Sequence, residues 1–292
     1  MLRKDFLGLL ASLSISAKAM NQSQLFDSRE NTNGSLMPLL FLGHGSPMNA
    51  IEENEFVQGF REAAKKIPRP KAILCISAHW ETKGTFVTAM QNPPTIHDFG
   101  GFPKALFDVQ YPAPGSPALA EETRKAIHST KIELDNSWGL DHGAWSVLKH
   151  MYPEANIPVI QMSLDYSRKP QFHYELAKEL SALRKSGVLI IGSGNMVHNL
   201  GMVAWDKLNQ NFAFDWAEEA SEKMKSALLS GNHDSLINFQ NQGKAFDLAI
   251  PTPEHFLPLL YILSLQQKEE ALNFFNDKAL AGSLSMTSVK IG

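Results

Sequence analysis

Three histidines follow apolar runs that have the length of buried strands. His44 comes directly after "LLFLG", His79 follows "AILCISA", and His198 follows "VLIIGSGNMV". In open α/β sheets ligands bind beyond the carboxyl ends of the strands, so these imidazoles are expected to meet at one edge of a sheet. The single cysteine, Cys75, leaves histidines and carboxylates as the available ligands. Neutral imidazole binds zinc, iron, copper or nickel, so the spacing favours a metal site.

Two further histidines lie next to predicted helices, and a third lies in a loop. His255 occurs in "PTPEHFLP", near the start of a helix that Pro253 favours, and His142 occurs in "GLDHGAW", in the turn before another helix. His97 stands beside Asp98 in a loop rich in aromatic residues. The other histidines are interpreted as ordinary hydrogen-bonded residues, and they are His128, His150, His173 and His233.

The elements that must position these histidines alternate along the chain from Met37 onward. Strands are predicted at 37–43, 71–80, 84–90, 131–134, 157–164, 187–195 and 282–292. Helices are predicted at 55–67, 118–129, 144–152, 171–185, 214–230 and 253–265. The strands show little polar alternation, which indicates burial on both faces. We therefore expect one α/β domain with a mixed, mostly parallel sheet covered by helices on both faces.

The first 36 residues have the features of an export signal and a linker. Arg3 and Lys4 precede an apolar stretch and the small-residue sequence Ala17-Lys-Ala19, which predicts cleavage near Ala19. This start is similar to a twin-arginine signal with lysine in place of one arginine, so we expect export to the periplasm. The alternative is an amphipathic N-terminus on a cytoplasmic protein. The apolar stretch is too short to span a membrane, so no stable membrane insertion is expected.

Composition limits the classes of partner. Of the 292 residues, 43% are hydrophobic, which is enough for a sizeable core, and the formal net charge is -3. That charge balance does not suggest a nucleic-acid-binding surface. We therefore expect a small-molecule partner, and the sequence predicts no particular oligomeric state.

Several longer motifs occur in one order between Met37 and Gly292. They are "FLGHGSPMN", "ISAHWET", "PPTIHDFGGFP", "YPAPGSP", "LDHGAWSVL", "GSGNMVHNL" and "PTPEHFLPLLY". Together they resemble the DOPA-dioxygenase-type family of class III extradiol ring-cleaving dioxygenases, especially its bacterial 4,5-DOPA dioxygenase branch. The resemblance implies that residues 37–292 form the catalytic domain and open the ring of a DOPA-like catechol with O2 to a muconic semialdehyde-type product.

The resemblance also implies one mononuclear metal, with Fe(II) expected for catalysis and Zn(II) as a frequent occupant. It assigns His44, His79 and His255 as ligands, and His198 as a fourth ligand or as the acid–base residue. Glu254 is the alternative carboxylate ligand, because more distant class III enzymes use two histidines and a glutamate. The same residues leave open a zinc-dependent hydrolase, in which Glu254 could act as general base, and a zinc-binding protein without turnover.

Proton transfer in such an enzyme is assigned to His198 first and His142 second, since a histidine pKa near neutral suits both removal and return of a proton. Aromatic side chains are expected to wall the substrate pocket, as apolar residues do in most ligand sites. These candidate wall residues are Trp80, Phe99, Phe102 and Trp145. His97 and Asp98 are expected to contact the polar side chain of the substrate.

Overall fold

Apolar runs form the strands of an eight-stranded mixed sheet in the computed structural model, which describes residues 36–208 and 210–292. The described residues form ten strands, eight in this sheet and two in a separate pair. They are β1 (Leu39–Gly43), β2 (Ala72–Thr82), β3 (Thr85–Thr88), β4 (Ile132–Asp135), β5 (Val159–Asp165), β6 (Val188–Gly194), β7 (Leu272–Phe275), β8 (Ala279–Leu280), β9 (Leu284–Ser285) and β10 (Ser288–Ile291). The order across the large sheet is β4-β3-β5-β2-β6-β1-β10-β7, and β8 pairs with β9 separately. The four central strands are parallel, whereas β10 and β7 add antiparallel strands at one edge.

Helices cover both faces of this sheet. They are α1 (Glu55–Lys65), α2 (Lys104–Phe107), α3 (Pro117–Ala126), α4 (His142–Met151), α5 (Pro170–Lys178), α6 (Ser181–Lys185), α7 (Asp215–Ser230), α8 (His233–Ile237), α9 (Lys244–Ala249) and α10 (Leu257–Ser264). Alternate residues of β1 enter two different cores, because successive side chains of a strand point to opposite faces. Leu39 and Phe41 pack into one core, and Leu40 and Leu42 pack into the other. The predicted α/β fold is therefore confirmed.

Several predicted boundaries differ from the observed ones. The predicted helix 171–185 is two helices, α5 and α6. Helix α4 begins two residues earlier than predicted, because the Asp141 side chain accepts a hydrogen bond from Ala144 N and caps it. Helix α10 begins at Leu257 with Pro258 in its first turn, so Pro258 rather than Pro253 starts it. His255 therefore lies in the turn before α10.

The predicted export signal, with cleavage near Ala19, lies outside the described residues. Among the residues that are described, no helix has the length and apolar character needed to cross a membrane.

His173 on α5 is a buried histidine apart from the histidines at the strand ends. Its burial makes the folded protein less stable in acid. Its Nδ1 lies 3.0 Å from the Tyr261 hydroxyl, and burial lowers the pKa of His173 to about 4. An unfolded histidine titrates near pH 6.5, so this contribution to stability is complete above about pH 6.5 and is lost as the pH falls toward about 4. When the pH is lowered from 6 to 5, we expect the free energy of unfolding of the wild type to fall by about 1 kcal/mol more than that of His173→Gln.

Urea unfolding at the two pH values measures this difference. His128→Gln, at an exposed position, is the control and should follow the wild type. Equal pH dependence of His173→Gln and wild type would contradict the assignment.

Candidate active site

Histidines from three segments meet beyond the carboxyl ends of the central strands. His44 follows β1, His79 lies near the end of β2, and His255 lies in the turn before α10. The metal-ligating atoms of these three residues all lie within 4.8 Å of one another. The Nε2 atoms of His44 and His79 are 3.1 Å apart, and the ring centroids of His79 and His255 are 5.0 Å apart. The structure therefore brings together the three histidines that the sequence predicts as ligands.

The backbone around His44 and His79 aims their side chains. The pairing of β2 with β5 shifts register between Ile76 and Glu81, and His79 lies within this irregular stretch. Such a shift re-aims side chains at the rim of a sheet. Gly45 has a φ of 63°, a left-handed conformation that glycine adopts without steric cost, and it turns the chain away directly after His44.

His44 is fixed by a serine that the sequence analysis missed. The Ser193 hydroxyl donates to the Gly143 carbonyl at 2.6 Å and lies 3.0 Å from His44 Nδ1. With its proton used on Gly143, Ser193 accepts from the His44 Nδ1–H, which leaves the His44 Nε2 lone pair facing the other histidines. The sequence analysis placed Ser193 only within the predicted strand 187–195 and gave it no role. The signal lay in the parallel pairing of β1 with β6, which sets Leu42 opposite Ser193.

Glu254 orients His255, and His198 stacks on that imidazole. The His255 Nδ1–H donates to Glu254 Oε1 at 3.0 Å, and the Thr252 hydroxyl donates to the same oxygen at 2.9 Å. Burial alone would raise the pKa of Glu254, but the hydrogen bonds that it accepts, first among them the one from His255, together with the electrostatic interaction with His255 outweigh burial, and the pKa falls to about 2. The His198 ring lies parallel to His255 with centroids 3.5 Å apart. His198 thus belongs to the same cluster, on the side of Glu254.

Asp98 holds His142. The His142 Nδ1–H donates to Asp98 Oδ2 at 2.8 Å, and the His142 backbone N–H donates to Asp98 Oδ1 at 2.8 Å. Burial would raise the pKa of Asp98, but these hydrogen bonds hold it below its usual value. The rings of His142 and His79 are 3.8 Å apart between centroids. Asp98 is therefore hydrogen-bonded to His142, its Oδ2 also lies 3.5 Å from His79 Nδ1, and His142 presents its Nε2 beside the cluster.

Burial keeps imidazoles of this cluster neutral. It lowers the pKa of His44 and His79 well below the ordinary value, with a smaller contribution from the neighbouring histidines. Burial likewise lowers the pKa of His198 to about 3. The Nδ1–H groups of His44 and His255 are taken by Ser193 and Glu254, so their Nε2 atoms turn inward, and inward imidazole nitrogens are the donor set of a divalent first-row metal. The residues present therefore fit one metal ion.

Aromatic side chains line one side of the cluster. Phe99 packs edge-on against His142 with centroids 5.5 Å apart, and Phe102 packs edge-on against Phe99 at 5.4 Å. Trp145 is fully buried and donates its Nε1–H to the Ile96 carbonyl at 2.7 Å. Phe99 is thus the predicted wall residue in ring contact with a site histidine.

The two remaining substrate-contact candidates have partners inside the protein. Trp80 is 4% exposed and stacks on Trp138 at 5.7 Å between ring centroids. The His97 Nε2–H donates to the Val109 carbonyl at 3.0 Å, so this nitrogen ties the aromatic loop together.

Gly194 permits the close approach of the His255 segment. A Cβ atom at Gly194 would lie 2.1 Å from the His255 carbonyl oxygen, and the Gly194 carbonyl accepts from His44 N at 3.1 Å. We expect Gly194→Ala to push His255 out of place and to weaken binding of Zn(II) at least roughly tenfold, by calorimetric titration. Gly100→Ala is the matched control, because its added Cβ meets no described atom within 4 Å. Unchanged zinc affinity in Gly194→Ala would contradict this account of the site.

Known proteins are similar to this chain in sequence and in fold. A protein of Escherichia coli K12 named 4,5-DOPA dioxygenase extradiol is 46% identical over 260 residues, which cover 88% of this chain and 95% of that protein. A Beta vulgaris protein of the same name is 35% identical over 257 residues, covering 86% of this chain and 94% of its own length. The crystal structure of an uncharacterized protein from Escherichia coli K12 superposes with a TM-score of 0.76 at 40% identity, covering 88% of this chain and all of that chain.

One family matches most of the chain. Residues 38–283 match the family described as the catalytic LigB subunit of aromatic ring-opening dioxygenase. This match includes the five clustered histidines and Asp98. The chain belongs to that family, and it is an oxidoreductase, an extradiol ring-cleaving dioxygenase.

Proposed function

We propose that this enzyme opens the ring of a DOPA-like catechol with O2 at a single metal ion held by His44, His79 and His255. The observation that carries the proposal is the convergence of the ligand atoms of these three side chains within 4.8 Å of one another, beside the rings of His142 and Phe99. The relatives named 4,5-DOPA dioxygenase extradiol support the substrate class. The expected product is a muconic semialdehyde.

Fe(II) is the metal proposed for catalysis, and Zn(II) fits the same ligands. When bound, the ferrous ion would lower the pKa of the catechol hydroxyls and activate O2. Three protein ligands leave positions for substrate, as the open sites of iron oxygenases require. Ser193 and Glu254 would hold the ligand rings in the orientation seen here.

His142 is the proposed acid–base residue. Asp98 takes the Nδ1–H of His142, so Nε2 carries the lone pair that can accept a proton from the second catechol hydroxyl. The same nitrogen can return that proton as the ring opens. The sequence had favoured His198 for this role. His198 stacks on His255 at 3.5 Å beside Glu254, so we propose that it lines the metal site rather than moves the proton.

Phe99 and Phe102 are proposed to pack against the substrate ring. Phe99 already contacts the His142 ring edge-on, so an aromatic substrate beside His142 would meet the same side chain. His97 remains a predicted contact for the polar side chain of the substrate.

The hydrolase alternative receives less support. A general base works best with a pKa near the working pH, whereas the pKa of Glu254, whose Oε1 accepts from both His255 and Thr252, lies at about 2.

The experiment compares two metals on anaerobically purified protein. With Fe(II) and L-DOPA or a simpler catechol we expect oxygen uptake and a yellow product. With Zn(II) we expect no turnover of ester or amide substrates. Ester or amide hydrolysis with Zn(II), together with no oxygen uptake with Fe(II), would overturn the proposal in favour of the hydrolase.

We also propose export to the periplasm, supported by the order of Arg3, Lys4, the apolar stretch and Ala17-Lys-Ala19. Cell fractionation in a bacterial host should find mature protein, shortened near Ala19, in the periplasmic fraction. Arg3→Gln with Lys4→Gln should hold the full-length chain in the cytoplasm. Full-length wild-type protein confined to the cytoplasm would contradict export.

A further inference from the structure

A cavity separate from the histidine cluster lies at the end of helix α4 opposite His142. Its volume is about 620 Å³. The polar residues that line it are Arg61, Lys65, Arg69, Lys149, His150 and Tyr152. Among the described residues that line it, none is an aspartate or a glutamate. The cavity is therefore cationic in a protein whose formal net charge is -3.

Carboxylates outside the lining neutralise only part of this charge. Arg61 pairs with Glu53 at 2.7 Å, and Lys65 pairs with Glu62 at 2.7 Å. Arg69 instead donates to the Asn156 side-chain oxygen. The Lys149 ammonium donates to the Ala50 carbonyl at 3.0 Å. Two cations thus face the cavity with neutral oxygens as partners.

Helix termini account for some of these residues and not for others. Lys65 and Lys149 lie in the last turns of α1 and α4, where basic side chains commonly offset the helix dipole. Arg61 lies within α1, and Arg69 follows the end of that helix. The dipole therefore does not explain why both guanidinium groups line the same cavity.

The apolar part of the lining consists of Ala64, Ile67, Met151 and Pro153. The cavity therefore combines positive charge with apolar surface.

We propose that this cavity binds an organic anion with an apolar body, such as an aromatic phosphate or carboxylate. Arg69 and Lys149 would hold the anionic group, and the apolar lining would pack against the body of the molecule. A pocket that is mostly apolar with a few charged groups fixes both the class and the orientation of its ligand.

The cavity is connected to the metal site through the short turn after His44. The His150 Nε2–H donates to the Asn49 carbonyl at 2.7 Å, and the Asn49 side-chain amide donates to the His44 carbonyl at 3.0 Å. Lys149 holds the adjoining Ala50 in the same turn. Lys149 therefore lies both in the lining of the cavity and in contact with the turn that follows His44.

Calorimetric titration of the full-length protein with phenyl phosphate tests the site. We expect saturable binding that weakens at least tenfold in Arg69→Gln with Lys149→Gln, and at least threefold in Arg69→Gln alone, which changes an exposed side chain. Lys185→Gln with Lys223→Gln removes two charges away from the cavity and should bind as the wild type does. Inorganic phosphate and benzyl alcohol should each bind at least tenfold more weakly than phenyl phosphate.

Two results would overturn the proposal. Equal affinity of wild type and the Arg69→Gln, Lys149→Gln variant would remove the cavity as the binding site. Equal affinity for inorganic phosphate and phenyl phosphate would remove the apolar body from the ligand class. Neither result depends on oxygenase activity, so failure of the proposed function leaves this test intact.

Discussion

His79→Ala is expected to abolish ring opening, with kcat/KM lowered at least roughly 10³-fold, because it removes a proposed ligand from the centre of the cluster. The His79 ring lies within 5.0 Å of the His44, His142 and His255 rings between centroids. The remaining histidines would hold Fe(II) more weakly, by at least roughly 10²-fold. Iron content after anaerobic loading and oxygen uptake with a catechol measure both effects.

His128→Ala is the control for this change, because it removes an exposed histidine that does not belong to the cluster. It should bind iron and turn over as the wild type does. A His79→Ala protein that retains one tenth of the wild-type rate at equal iron content would show that His79 is not a ligand.

His142→Gln is expected to lower kcat by about 10²–10⁴-fold while iron binding stays close to that of the wild type. The reason is that glutamine cannot take a proton from the substrate at the position of Nε2. Single-turnover kinetics with equal iron loading separates this effect from loss of the metal. Loss of iron in parallel with activity would instead identify His142 as a ligand.

Asp98→Asn tests the same proton path through its positioning residue. An amide NH2 in place of a carboxylate oxygen would donate to His142 Nδ1 and shift the ring proton to Nε2. We expect kcat to fall at least roughly tenfold with little change in KM. Asp108→Asn, at an exposed position, should leave both parameters unchanged.

Much of the fold and the core of the site followed from local sequence. Apolar runs such as "LLFLG" and "VLIIGSG" predicted buried strands, because strands covered on both faces need little polar alternation. The rule that ligands bind beyond strand ends then placed His44 and His79 at one edge, and the structure brings them together.

The partners of these histidines could not be predicted in the same way. Ser193 and His44 are 149 residues apart, and their contact depends on which strands pair and in which register. Asp98 was expected to face the substrate because it stands beside His97 in a long loop. Only the packing of that loop against the start of α4 turns its carboxylate to His142. Tertiary contacts thus decide the positioning residues, whereas strand-end position identified His44 and His79 as candidate ligands.

The measurement that tests the central claim most directly is a reaction of the anaerobically iron-loaded enzyme with a catechol and ¹⁸O₂. Mass spectrometry measures how many ¹⁸O atoms the product contains, and an oxygen electrode measures how much O2 is consumed. We predict that the wild type consumes one O2 for each ring opened and places one labelled atom in the new carboxylate. His79→Ala should show neither oxygen consumption nor a labelled product. Catechol oxidised without any label in the product would contradict ring cleavage at this site.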